Sequence, residues 1–276
     1  MRITRSGLVG FVAVTALIVG GGAVRAAAAE LDCLMQPREI VTVSAALEGV
    51  LEEVAVDRGD TVQKGAVLAT LESSLERNMV ATARARTEQD YSIKSSQVRV
   101  DFGARRLLRT DEMFKKSLVP LKELDEAETA KILAEFDLVE ANERKRLADL
   151  DLERAQAALE LRTIRSPITG VVMERLRHPG ELASREHPVV KIARLDPLRV
   201  EVFVPIALYG RITPGQRTVV VPEAPLNRPL EATVTVVDKV ADAASGTFGV
   251  RLEIPNPGNR VPGGLKCKIR LGDPRP

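Results

Sequence analysis

Gly49-Val50-Leu51-Glu52-Glu53-Val54-Ala55-Val56-Asp57-Arg58-Gly59-Asp60-Thr61-Val62 returns 121 residues later as Gly170-Val171-Val172-Met173-Glu174-Arg175-Leu176-Arg177-His178-Pro179-Gly180-Glu181-Leu182-Ala183. The same offset carries Leu68 to Val189, Leu71 to Ile192 and Lys64 to Arg185. Short β-branched runs with Gly at fixed points read as strands joined by tight turns. Gly59 and Gly180 stand where such turns demand a positive φ. A unit of about 30 residues cannot bury an apolar face alone. Two of them, 40–72 and 163–194, close on each other as one small sandwich and bring residues 72 and 163 together.

The insert between the halves, 73–162, is of another kind. It holds one Gly and one Pro and is densely charged. A seven-residue spacing runs through Met79, Arg86, Ile93, Val100, Leu107 and Phe114. After Pro120 the pattern sharpens: Leu124, Ala127, Lys131, Ala134, Leu138, Ala141, Lys145, Ala148, Leu152, Ala155 and Leu159. Those alternating steps of three and four are a coiled-coil seam. Two arms of ~40 residues, each ~60 Å long, fold back as an antiparallel hairpin, with the tip between Arg109 and Lys122. Pro120 breaks the helix there, since it lacks a donor and disfavours helix at Val119. Lys131 and Lys145 on the seam are expected to snorkel or to meet acids across it. Met113, Phe114, Leu118, Val119 and Leu121 make that tip apolar and far from any core, which points to a docking surface.

Residues 195–272 carry strand patterns punctuated by Pro and Gly, at Leu198–Pro205, Arg217–Val221, Leu230–Val237, Thr247–Ile254 and Leu265–Leu271. Five or six such strands make a small antiparallel barrel. The lead, 30–39, is expected to add at most one strand, and 273–276 is a short tail. The fold class is therefore α+β, elongated and multidomain. Residues 1–29 read as a secretory signal peptide: Arg2 and Arg5 precede an uncharged run from Leu8 to Val24, and Ala26–Ala29 offer a cleavage site after Ala29. The rival is a retained membrane anchor, because 17 residues just span a thinned bilayer. An exported chain meets an oxidising compartment, where Cys33 and Cys267 either bond or remain two free thiols. If bonded they would close a loop worth about 5 kcal/mol in the chain-entropy model.

Composition removes several functions. The 40 basic and 38 acidic residues give +2, but Arg2, Arg5 and Arg25 lie in the leader, and without them the balance is −1. No basic footprint for nucleic acid is left. With no Trp, two Tyr and six Phe, base-stacking platforms are absent as well. His178 and His187 read as turn residues with only Glu181 and Glu186 nearby, too loose a set for zinc. Two His and two Cys leave no nucleophile–base pair. No catalytic, metal or cofactor residue is assigned, and the chain reads as a non-enzyme.

The order of these parts resembles the periplasmic adaptor subunits of tripartite efflux pumps, the membrane fusion proteins of the HlyD-like superfamily. Three stretches carry the resemblance: Gly49-Val50-Leu51 continuing through Val56, Gly59-Asp60, Val62, Gly65, Leu68 and Leu71; Thr163-Ile164-Arg165-Ser166-Pro167-Ile168-Thr169-Gly170-Val171-Val172; and Asn259 with Pro262-Gly263-Gly264. It implies that the sandwich is a lipoyl-like domain. True lipoyl and biotinyl carriers hold a modified Lys on the turn joining their halves; Glu72-Ser73-Ser74 stands there instead, so the carrier reading fails.

The resemblance further implies a ring, commonly of six copies, between an inner-membrane transporter and an outer-membrane channel. The hairpin tip would meet the channel and the barrel the transporter. Many tips in the family carry Arg, Leu and Ser at set spacing, and aligning Leu124-Asp125-x-Ala127 puts Arg109, Met113 and Pro120 there; Pro departs from Ser. The expected docking residues are Arg109, Met113, Phe114, Leu118 and Pro120. The transporter is expected to be of the resistance-nodulation-division class, with the ABC class as an alternative. The competing reading from another class is a periplasmic scaffold that holds a ligand or a metal.

Overall fold

The computed structural model describes residues 30–271. The segment 1–29, expected to be a signal peptide cleaved after Ala29, and the tail 273–276 lie outside the described residues. Two bodies of β-structure share two long strands, and a helical hairpin leaves one of them.

The sandwich has one sheet from β2 (Gly49–Val54), β4 (Val67–Leu71), β5 (Thr163–Arg165) and β7 (Leu182–Ala183), in the order β5-β4-β2-β7. The facing layer is made by β3 (Thr61–Val62), β6 (Gly170–Arg175) and the adjoining ends of β1 (Glu30–Val43) and β8 (Val190–Pro205). Each sheet takes strands from both halves. Gly49 pairs with Ala183 and Val50 with Leu182, while Gly170 pairs with Val62 and Val171 with Thr61. Each pairing is the other displaced by the sequence offset. Leu51, Leu68, Leu71, Val172, Val189 and Ile192 share one buried cluster, so the halves complete a core that neither contains. Gly59 and Gly180 have φ of 97° and 87°, the left-handed region the turns require.

The barrel closes with six strands. β1, β12 (Leu265–Arg270), β9 (Arg217–Pro222), β10 (Leu230–Asp242), β11 (Thr247–Ile254) and β8 follow one another, and β8 pairs back onto β1. Inward residues alternate along β11, where Phe248, Val250, Leu252 and Ile254 are buried. They pack with Met35, Leu198, Val200 and Ile269 in a single core. The lead therefore does supply a strand. It is the first half of β1, which pairs with β12 and β8 over 33–35 and then, past an irregularity between Pro37 and Glu39, with β8 from Glu39 to Val43. Sandwich and barrel meet through two unbroken strands rather than at a joint between separate bodies. Pro37 and the cis Asp196–Pro197 bond mark the passage, in keeping with the confinement of Pro to bulges and edges.

The hairpin departs from two equal arms. α3 (Leu121–Glu160) is a single 40-residue helix, but the outgoing arm is two helices, α1 (Ser74–Thr87) and α2 (Tyr91–Lys115), broken at Glu88–Asp90. Every seam position expected on α3 is buried or half-buried, with Ala127, Ala134, Ala141 and Ala155 fully so. The outgoing spacing holds from Ile93 to Phe114, but the break resets it below, and Met79 and Arg86 point outward. There the seam runs instead through Glu76, Val80 and Ala83. No Gly or Pro announces the break. Lys145 supports it from across the seam, donating to the Thr87 carbonyl at 2.7 Å and facing Asp90 at 3.8 Å, which satisfies a helix-end acceptor. Lys131 pairs within its own helix, with Glu135 at 3.0 Å. Gly103 sits so close to α3 that a Cβ there would lie 3.2 Å from the Lys131 Cα. Small residues on both arms let the helix axes approach closely.

Candidate docking site at the hairpin tip

The hairpin is clamped at its base. Glu76 on α1 and Arg162, just after α3, form an ion pair with the guanidinium Nη2 at 2.6 Å and Nε at 3.0 Å from the same carboxylate oxygen. Arg162 Nη1 also donates to the Glu48 carbonyl at 3.3 Å, so one side chain ties both arms to the loop entering β2. Arg77 Nη2 adds an ion pair with Glu52 on β2, reaching its two carboxylate oxygens at 3.1 and 2.9 Å. Glu72 begins the insert by accepting from the Ser74 N–H at 2.9 Å. The Ser74 hydroxyl, and then that N–H, hold its carboxyl below the ordinary glutamate range. No lysine stands at this crossing, and the base is a mount rather than a swinging arm.

From that mount the tip is carried about 60 Å, the length of a 40-residue helix. α2 ends at Lys115, and the chain reverses with Ser117 at φ 59°. The Ser117 N–H donates to the Phe114 carbonyl at 2.8 Å and the Leu118 N–H to the Met113 carbonyl at 2.9 Å. This double closure is a Schellman-type cap, with Ser where Gly is usual. It leaves Leu118 66% exposed beside Met113 at 44%, and Leu121 is exposed as well. Pro120, in extended geometry, caps α3, where its missing N–H is no loss. Phe114 and Val119 are half-buried, so helix pairing takes up part of the apolar tip. Arg109 lies exposed one turn below Met113 on α2. The fold thus gathers Met113, Leu118 and Pro120 into one end, with Arg109 on its flank and Phe114 turned partly inward.

Other features fall outside that set. Cys33 and Cys267 are registered neighbours on β1 and β12, joined by a disulfide. His178 and His187 lie exposed on turns, and among the described residues no three His, Cys, Asp or Glu gather as a metal site. Exposed apolar side chains on the outer faces of the hairpin, Phe102 and Phe136 among them, escaped the sequence reading. The clue was available: Ile132, Phe136 and Val139 repeat at helical spacing on the face opposite the α3 seam.

Two domain families match the chain in tandem. A CzcB-like barrel-sandwich hybrid domain covers residues 39–194, and a CusB-like β-barrel domain covers 198–275. The fold is that of membrane fusion proteins, and the chain belongs to the CzcB-like barrel-sandwich hybrid family. Among solved structures it is similar to MacA from Actinobacillus actinomycetemcomitans, with a TM-score of 0.71 at 18% identity over 88% of this chain and 78% of that one. It is similar also to the membrane fusion protein Spr0693 from Streptococcus pneumoniae R6, with a TM-score of 0.58 at 13% identity, covering 87% and 97%. In sequence it is 26% identical over 233 residues to the macrolide export protein MacA of Yersinia pestis, matching 79% of this chain and 60% of that protein. An uncharacterized protein of Haemophilus influenzae is 22% identical over 87% of this chain and 56% of its own length. The chain thus spans less than two thirds of the length of these two relatives.

Proposed function

We propose that the chain is a noncatalytic periplasmic adaptor, joining an inner-membrane transporter to an outer-membrane channel for export of small molecules across the envelope. The observation that carries this reading is an apolar tip held far from any core on a rigid, charged lever whose base is ion-paired to a closed sandwich. A solvated spacer has no use for exposed Leu118 and Met113 at its end; a docking probe does. Arg109, Met113, Phe114, Leu118 and Pro120 form the channel-docking end. The transporter meets the barrel, where Phe203 on β8 and Val240 on β10 stand out in solvent on either side of β11. The transporter is of the resistance-nodulation-division class, with the ABC class as the alternative, and several copies of the chain form a ring, six being the family's common number. The chain is exported by its first 29 residues and works in the periplasm; no helix of the described residues is long and apolar enough to cross a membrane.

Crosslinking in cells that express the full chain, followed by purification, tests the assignment. A large inner-membrane transporter is expected to copurify. Recovery of no membrane protein overturns the adaptor reading.

A further inference from the structure

The outer wall of the barrel has a gap in its row of side chains. Phe203 on β8 is registered with Gly249 on β11, and on the other side of β11 the ladder with β10 is irregular between Val237 and Ala241. Phe248 and Val250 point into the core, so position 249 faces outward and, being Gly, presents no side chain. The Asp238 carboxylate of β10 takes that place. A Cβ on Gly249 would clash with its Oδ2, so the carboxylate rests on bare backbone. Phe203, 68% exposed, stands to one side of it and Val240 to the other. The cleft they enclose measures about 480 Å³.

Most polar groups of the cleft are already partnered. Asp242 accepts from the Ala244 N–H at 2.9 Å and from the Ser245 hydroxyl at 2.8 Å, and that hydroxyl lies 2.8 Å from the Thr247 hydroxyl. Arg251, two residues along β11, is held by Glu201 at 3.3 Å. Asp238 differs. It is half-buried, and among the described residues no donor and no cation pairs with its carboxylate, the adjacent Lys239 included. A carboxylate drawn partly out of water without a partner is costly, and a positive charge beside it relieves that cost. A hard metal ion demands several oxygen ligands, whereas this floor offers one free carboxylate. The exposed ring of Phe203 attracts a cation through its quadrupole, and Val240 adds an apolar wall.

We infer that the cleft is a binding site for a small organic monocation with an apolar body, such as an arylalkylammonium ion. Its charge rests on Asp238 and its body lies along Phe203 and Val240. The site goes beyond the adaptor reading and does not depend on it.

The test is an amide chemical-shift titration of the purified exported chain with benzyltrimethylammonium. Saturable shifts are expected at Phe203, Asp238 and Gly249. Tetramethylammonium has the charge without the ring, benzyl alcohol the ring without the charge, and acetyl-lysinamide the ammonium of a protein side chain; each is expected to bind about tenfold more weakly or worse. Asp238→Asn keeps the shape and removes the charge, and should weaken binding roughly tenfold. Phe203→Ala should weaken it about twofold to fivefold. Gly249→Ala, whose methyl displaces the carboxylate, should lose the site while circular dichroism stays that of wild type. The inference is overturned if the cleft amides do not shift, if benzyl alcohol or acetyl-lysinamide binds as tightly as benzyltrimethylammonium, or if Asp238→Asn binds like wild type. None of these outcomes alters copurification of a transporter, so failure here is distinct from failure of the adaptor reading.

Discussion

Gly59 donates its backbone N–H to the Val172 carbonyl at 2.9 Å, and 121 residues later Gly180 donates to the Leu51 carbonyl at 2.8 Å. A second pair repeats the exchange: Leu51 donates to Glu181 and Val172 to Asp60, both at 2.9 Å. The sandwich is thus a two-fold clasp in which each half closes the other's turn. Each of these four bonds crosses between 40–72 and 163–194, so each half depends on the other to close its turn. The hairpin between them is mounted on a unit held shut by its own ends.

Gly59→Ala and Gly180→Ala are expected to destabilise the protein by similar amounts. A Cβ meets nothing within 4 Å at either site, so the penalty is the left-handed backbone alone, about 1–2 kcal/mol. Thermal or urea unfolding of the two variants measures it. A markedly unequal pair of values contradicts the equivalence of the turns.

Arg162→Ala leaves the Glu76 carboxylate beside a vanished partner in a mostly buried site. Breaking a buried pair from one side costs about 3–5 kcal/mol, and the remaining solvent access at Arg162 places the expectation near the lower figure. Arg162→Ala with Glu76→Ala should be less destabilising than the two single losses added together, because neither charge is then stranded. Additive losses in a double-mutant cycle would show that the clamp does not couple the arms.

Met113→Asp combined with Leu118→Asp is expected to abolish docking to an outer-membrane channel without unfolding the chain. Both side chains are already substantially exposed, so stability should move by about 0.5 kcal/mol or less. Crosslinking to the channel and export of substrate are the measurements; export at the wild-type rate removes the tip from the docking face.

Acidification should loosen the start of the hairpin. The Glu72 carboxyl is held below its ordinary range by the Ser74 hydroxyl and N–H. Its contribution is therefore fully present above the unfolded glutamate pKa and disappears as pH falls through the lower folded value. A carboxyl chemical-shift titration should find Glu72 titrating below the ordinary glutamate value, and Ser74→Ala should move it upward. A Glu72 titration at the ordinary glutamate value contradicts its hydrogen bonds from Ser74.

The sandwich, the α3 seam and the barrel strands were legible because each writes a period into the chain. The 121-residue offset aligned Leu51 with Val172, the three-four steps from Leu124 to Leu159 marked the buried stripe, and alternation marked Phe248 through Ile254. The break at Glu88–Asp90 was not legible, since no Gly or Pro encodes it and its support, Lys145, comes from 55 residues away. The outer stripe through Phe136 was masked by the stronger period of the seam on the opposite face.

Local pattern alone determined which segments are strand or helix and where the insert divides the sandwich, since hydrophobic period and turn chemistry act over a few residues. Tertiary structure alone decided that β1 and β8 run unbroken from sandwich to barrel, and that Arg162 ties both arms to the base. Those relations depend on how distant segments settle against each other, and shape complementarity between packed surfaces leaves no periodic trace in either one.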